Sequence, residues 1–307
     1  MTSKNKSGLS RTNQWEFHAM VFPTVFMLFI FSYLPFCGII LAFKKFNFID
    51  GILGSPWCGF DNFKFLFASG KAWALTRNTI LYNLAFMVFS TVFEVTLAIF
   101  LSEMKSMKFK KIAQTMMLFP NFISMVVVGI FMYNFLNYDT GIINNVLETL
   151  GFDRVQIYAQ PNMWPPILVI TYMWKSYGYG SIIYLAAIMG FDRECYEAAE
   201  IDGANLWQRT RYITIPMLKP TVIILVIMAL GRLVKGNFEL FYQLIGDNGL
   251  LIEKTDIIET YVFRSVLSAT ELGVSTATGL YQSILSFVMV ITANWVVKKI
   301  ESDYALF

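Results

Sequence analysis

Six apolar stretches organise the chain, at about 17–43, 79–101, 113–136, 165–189, 220–245 and 277–297. Each supplies the roughly 20 residues that a helix needs to cross a hydrocarbon layer. Polar or aromatic-rich segments separate them. The pattern predicts an all-α polytopic membrane protein with six transmembrane helices: a polar tail at 1–16, then a single transmembrane domain at 17–307. The first stretch is too long for the apolar region of a secretory signal and lacks a small-x-small cleavage site, so it is read as a retained span.

The basic residues orient these spans. With the N-terminus inside, thirteen of the 24 Lys and Arg fall on inner segments, eight on longer outer segments and three within spans. Both termini, and the segment 192–219, are therefore expected in the cytoplasm. Composition agrees with a membrane protein: 56% of the 307 residues are hydrophobic and only 15% are charged. The net charge of +3 is small and dispersed, which gives no footprint for nucleic acid. Cys37, Cys58 and Cys195 fall in a span, an outer loop and an inner loop, so an internal disulfide or a cysteine metal cluster is not expected. His18 is the one histidine, which excludes histidine metal sites and Ser-His-Asp catalysis. Gly70-Lys71 is no phosphate-binding loop, because Ala72 follows it and Phe65 stands where the first glycine should be. No catalytic residue and no bound cofactor is expected, and any ATP hydrolysis must come from a partner.

The longest polar segment between spans, Asp192 to Pro220, reads as two short helices joined by a tight turn. Asp192 and Glu194 favour a helix start. Gly203 can take the left-handed conformation that ends a helix. Asn205 and Gln208 resemble a capping box. Pro216 is expected to stop the second helix and Pro220 to open the next span. Five acids precede Gly203 and three bases follow it, with small residues Ala198, Ala199 and Ala204 between. Such a surface suits docking into a cleft of another protein; an ordinary solvated loop is equally compatible.

The run EAAEIDGANLWQRTRYITIP resembles the coupling loop of binding-protein-dependent ABC importer permeases, whose pattern is E-A-A, three residues, G, nine residues, I-x-L-P. The matching positions are Glu197, Ala198, Ala199, Gly203, Ile213, Ile215 and Pro216, with Ile215 replacing the usual Leu; Asp202 and Ala204 flank the glycine. Gly59-Phe-Asp-Asn-Phe63 resembles a G-x-x-N-F element of the same family. Gly141 and Gly151 are expected to bracket a short amphipathic helix, and Gly141, Asn144, Leu147 and Gly151, with the stretches NFELFYQLIGDNG, TDIIETYVF and TATGLYQSILSFVMVITANW, are similar to its oligosaccharide and polysaccharide branch. The resemblance implies a type I importer fold in a bacterial cytoplasmic membrane, moving an oligosaccharide or polysaccharide by alternating access. It implies a second permease subunit, non-identical to this one, two ATPase subunits that carry ATP and Mg, and an extracellular or periplasmic sugar-binding protein. Two alternatives stay open: an importer permease for a non-sugar solute, and an ion-coupled secondary carrier using Lys175, Arg232, Lys235 and Glu239. The carrier reading lacks the inverted repeat such proteins often show.

Lys175, Arg232 and Lys235 lie within spans, where charge usually faces a cavity or a partner. Glu94 and Glu239 are acids that could pair with them, and snorkelling to the interface is the competing reading. Sugar sites mix aromatic faces with amide and phenol groups. That makes Tyr133, Asn134, Trp174, Tyr177, Tyr179, Asn237, Phe238 and Tyr242 candidates for a substrate path, although most aromatics in such a chain simply pack. Gly178 and Gly180 are expected to let the fourth span bend.

Overall fold

The computed structural model of the protein describes residues 11–268 and 272–300. Most of the expected polar tail, at 1–10, lies outside them. Among the described residues the chain is helical, with one isolated bridge between Lys44 and Trp57.

The first span begins as α1 (Arg11–Leu28) and continues through a π segment, Phe29–Tyr33, into a 3-10 segment, Leu34–Phe43. Pro35 lacks the N–H that a regular helix would need there, and the wide and tight turns flank it. Almost all of this span is exposed within the chain. The connecting segment holds α2 (Gly51–Gly54) and α3 (Asp61–Ala68). Asn62 of the G-x-x-N-F element donates to the carbonyls of Ala42 (2.9 Å) and Lys44 (3.1 Å), tying α3 to the end of the span.

The second span is α4 (Lys71–Ser102), about 48 Å long at 1.5 Å per residue. It starts two turns before the expected boundary, because Ala72, Leu75, Thr76 and Asn78 are buried against the rest of the chain rather than exposed to solvent.

The third expected span is not one helix. It breaks into α5 (Met107–Phe122) and α6 (Met125–Leu136), which meet at 93°. Pro120 weakens the end of α5, Ile123 is extended, and Ser124 restarts the helix by accepting from Val127 N–H. The short helix α7 (Ile142–Thr149) lies between the glycines expected to bracket it. Its apolar residues Ile142, Ile143, Val146 and Leu150 are exposed, and its buried residue is Asn144. That amide donates to Asn137 and Val155 carbonyls and accepts from Val155 N–H, so it staples the loop.

The fourth span is α8 (Trp164–Met189), unbroken. It is not among the helices apolar enough to span by composition, since Lys175, Ser176 and several tyrosines dilute its middle. The two glycines expected to let it bend sit at close approaches to neighbouring helices. A Cβ at Gly178 would collide with the Met117 carbonyl of α5, and one at Gly180 with the Glu94 carboxylate of α4.

The polar segment holds α9 (Arg193–Ile201) and α10 (Leu206–Arg209). Here Pro216 does not stop the helix. A π segment, Thr210–Thr214, widens the turn ahead of it and leads directly into α11 (Ile215–Leu230). Pro216 falls in the first turn of α11, where its missing N–H costs little, so Leu206–Leu230 is one 25-residue span. The expected fifth span, 220–245, instead ends at Leu230, breaks over 231–237, and resumes as α12 (Phe238–Ile245). Then follow α13 (Ile252–Thr255), α14 (Ile258–Leu267) and α15 (Leu272–Ile300). Among the described residues, four helices, or five if the bent pair counts as one, are long and apolar enough to cross a membrane.

Helix packing in a bilayer draws on close contact and hydrogen bonds rather than on a hydrophobic drive. Three buried clusters do this work. One joins α4, α6, α8 and α12 around Trp164, Phe86 and Phe241. Another joins α3, α4 and α14 around Leu66 and Ile258. The third joins α4, α8 and α11 around Leu101, Tyr184 and Leu218.

Gly178→Leu should separate α5 from α8 and lower stability by about 1–3 kcal/mol or more. A thermal melt of the detergent-solubilised chain reads this; unchanged melting would contradict the close-approach role.

Candidate functional site

At the α9–α10 end, each cap expected from the sequence is present. Asp192 accepts from Glu194 N–H at 3.0 Å. Gly203 has φ of 77°, the left-handed region, and no neighbour crowds it. Asn205 and Gln208 exchange backbone-to-side-chain bonds of 2.8 and 2.9 Å. The turn is thus held without help from any partner. Two further contacts fix it to the bundle. Arg209 reaches both Glu200 (3.5 Å) and Glu103 beyond the end of α4 (3.6 Å). Tyr196 and Thr214 share a hydroxyl contact of 3.0 Å.

Glu197, Ala198, Asp202 and Gly203 are exposed, while Ala199, Ala204 and Ile213 are half-buried. Ile215 and Pro216 sit at the start of α11, exposed. In the same segment Ile201 (87% exposed), Trp207 (70%) and Tyr212 (75%) are large apolar or aromatic side chains left open on a polar loop. Sequence reasoning did not single out these three or Arg209. An aromatic in an otherwise polar segment was the available signal.

The second feature is a cavity of 840 Å³ where the fifth span breaks. Arg232, Lys235, Asn237, Phe238 and Glu239 line it from the break and α12, with Asn83 of α4 and Tyr172 of α8 opposite. Two smaller cavities share Tyr172 with it. One, of 300 Å³, holds Glu94, Asn121, Ser176 and Tyr179; the other, of 190 Å³, holds Lys175, Asn121 and Asn237. The remaining candidates lie elsewhere. Tyr133 rests against Tyr158 and Asn134 bonds its own helix at Ile130. Trp174 is exposed, Tyr177 meets Phe93 edge-on, and Tyr242 packs on Phe238 and Phe263.

The missed lining residues Asn83, Met87, Ser90, Tyr172 and Ser176 had a legible signal: on α4 the first three recur at helical spacing with Glu94, and on α8 the last two recur with Tyr179, both named from the sequence. Trp174 and Tyr177 fall between the α8 positions and point off that face.

The three cations differ. Lys175 turns its ammonium onto the carbonyls of Pro120 (3.4 Å), Asn121 (3.3 Å) and Ile123 (2.5 Å), where α5 ends. A cation there suits the negative end of the helix. Arg232 and Lys235 are exposed to the cavity, and neither forms an ion pair among the described residues. Glu94 and Glu239 likewise form no ion pair with them there, so the pairing expected from the sequence is not seen. At the other end of α4, Arg264 pairs with Asp256 at 2.5 Å and Thr260 donates to the same carboxylate at 2.6 Å. Burial pushes the Asp256 carboxyl above its ordinary range; Arg264 and Thr260 pull it partly back.

A family model described as "Binding-protein-dependent transport system inner membrane component" matches residues 94–302, which contain the polar loop and most of the cavity lining. The chain belongs to this family. Among its relatives, Protein LplB of Bacillus subtilis (strain 168) is 31% identical over 95% of this chain and 91% of its own length. The polygalacturonan/rhamnogalacturonan transport system permease protein YteP of the same organism is 32% identical over 92% of this chain and 87% of its own. Among solved structures, a bacterial ABC transporter involved in import of the acidic polysaccharide alginate superposes with a TM-score of 0.83 at 34% identity, covering 94% of this chain and 97% of that one. The chain is therefore a multi-pass permease subunit of an ABC importer, a transport component rather than an enzyme. An ion-coupled carrier is set aside.

Lys175→Met should take this partner from the Asn121 and Ile123 carbonyls at the α5 break, while the Pro120 carbonyl keeps Ile123 N–H, and cost about 1–3 kcal/mol. The melting temperature should fall, and Lys175→Arg should restore part of it. A Lys175→Met chain that melts like the parent would place Lys175 in cargo binding instead.

Proposed function

We propose that this chain is half of a permease pair that carries an oligosaccharide or polysaccharide fragment through the bacterial cytoplasmic membrane. The observation that carries the proposal is the broken fifth span. It turns Arg232, Lys235 and Asn237 into a cavity of 840 Å³, within the size range of about 300–1,000 Å³ typical of ligand pockets. Amide, phenol and aromatic groups around it suit a sugar, and the two cations suit one bearing carboxylates. Support comes from the relative named for polygalacturonan and rhamnogalacturonan and from the alginate importer, whose permease this chain resembles over nearly its whole length.

In this reading the six spans are 15–43, α4, the bent pair α5–α6, α8, 206–230 and α15, with both termini cytoplasmic as the Lys and Arg bias suggests. These spans make up a single membrane domain. The loop 192–219 then faces the cytoplasm. Glu197 and the exposed Ile201, Trp207 and Tyr212 dock on one of two ATPase subunits, which hold ATP and Mg. A second, non-identical permease closes the path. A sugar-binding protein delivers cargo to the segment 246–276; a related structure is of the alginate importer in complex with a pentasaccharide-bound periplasmic protein. ATP-driven closure of the ATPases moves the docked loop, and the pair alternates between outward and inward access.

Gly203 is needed for its left-handed backbone, not for space. Gly203→Val should therefore strain the turn by about 1–2 kcal/mol and reduce ATPase co-purification and sugar uptake at least tenfold. Gly203→Asn, which tolerates that conformation, should keep most of both. Equal behaviour of the two variants would contradict the role of the turn. Arg232→Ala should lower uptake of a uronate oligosaccharide about tenfold and that of a neutral one much less, roughly the loss of one charge-assisted hydrogen bond. Equal loss for both sugars would count against anionic cargo.

A further inference from the structure

The break at 231–237 leaves several backbone groups without helical partners, and side chains from three other helices satisfy four of them. Asn83 of α4 donates to the carbonyls of Leu233 (2.8 Å) and Lys235 (3.1 Å). Gln282 of α15 donates to the Val234 carbonyl at 2.9 Å and to Glu259 Oε1 at 2.6 Å. Glu259, in the first turn of α14, accepts from Gly236 N–H at 2.5 Å through the same Oε1. A Cβ at Gly236 would collide with the Glu259 carboxylate, so glycine admits this acid. The other oxygen, Oε2, is buried with no hydrogen-bond partner in the structure.

Three features separate Glu259 from an ordinary cap. It lies far along the chain from the break, on the segment between α12 and α15. It is the one charged group among those that hold the break, and the break carries two cations, Arg232 and Lys235. It forms no ion pair among the described residues, so its charge is spent on a single backbone N–H and on Gln282. A buried carboxylate costs much more than an amide unless its charge is used. An amide could hold the loop; an acid also offsets the local positive charge of the break.

We propose that Glu259 is the positioning residue of the cavity: acting through Gly236 and Gln282, it fixes the break that presents Arg232, Lys235 and Asn237. It also joins the cavity to the Asp256–Arg264 cluster, because Asp256 caps α13 immediately ahead of α14, whose first turn holds Glu259 and whose last turn holds Arg264. A shift of α14 therefore displaces the break directly. The proposal rests on reading this cavity as the cargo path, but its test does not.

The test uses a thiol reporter in the assembled importer, in a chain whose Cys37, Cys58 and Cys195 are replaced by Ser. Val234→Cys places the reporter in the break, where the parent side chain is 1% exposed. Leu150→Cys places a control reporter at the exposed end of α7, outside the break. With Glu259→Ala, labelling of Val234→Cys by a water-soluble maleimide should rise about tenfold, equivalent to about 1.4 kcal/mol of easier local opening. Labelling of Leu150→Cys should not change. Glu259→Gln, which keeps one acceptor oxygen, should fall between, and it carries the test if Glu259→Ala does not assemble. Unchanged labelling of Val234→Cys overturns the proposal. An equal rise at both reporters also overturns it, since that is general loosening. If the break loosens while sugar uptake is unaffected, positioning stands and the cargo-path reading fails.

Discussion

A backbone amide or carbonyl in hydrocarbon must find a partner inside the protein. That constraint governs this molecule, because two of its apolar stretches are interrupted. Where α5 ends, the Lys175 ammonium takes three carbonyls. Where α11 ends, Asn83, Gln282 and Glu259 take the exposed groups of the break. In each place the polar side chain comes from a neighbouring helix. The interruptions therefore hold the bundle together while they open space within it, and the cavities lie against them.

The same account links the two ends of the molecule. The polar loop is held by contacts within this chain: its caps, the Arg209 ion pairs and the Tyr196–Thr214 contact. Its second helix does not stop at Pro216 but runs on from Leu206 to Leu230, about 37 Å at 1.5 Å per residue. One end of this rod carries exposed Trp207; the other carries Arg232 at the cavity. In the proposed mechanism, motion imposed at the loop would reach the break through this one helix.

The apolar runs, the two-helix loop and the brackets of α7 were legible in the sequence, because each rests on local chemistry: span length, a cap, a left-handed glycine. The breaks were not. Pro120 and Gly231 signal weakness, but whether a helix breaks there depends on side chains more than 50 positions away, such as Lys175 for the α5 end and Asn83 for the α11 end. Pro216 misled because a π turn absorbed it. Gly178 and Gly180 suggested bending, but their close contacts with α5 and Glu94 were not visible in the sequence. On α8 the polar positions were visible but their common face was not, since Trp174 and Tyr177 are as aromatic as Tyr172 and Tyr179. Arg232, Lys235, Asn237 and Glu239 share one cavity; what they do there is the proposal made above.

The central claim is that the polar face of α4 and α8 lines a water-filled path. Single cysteines at Met87, Ser90 and Ser176, with controls at Val88 and Val92 on the outer face of α4, measure this in a bilayer. A membrane-impermeant thiol reagent should label the first three, at rates that change when the ATPases are locked with ATP, and should leave the controls untouched. Labelling confined to Val88 and Val92 would mean that the cavity is sealed and the path lies elsewhere.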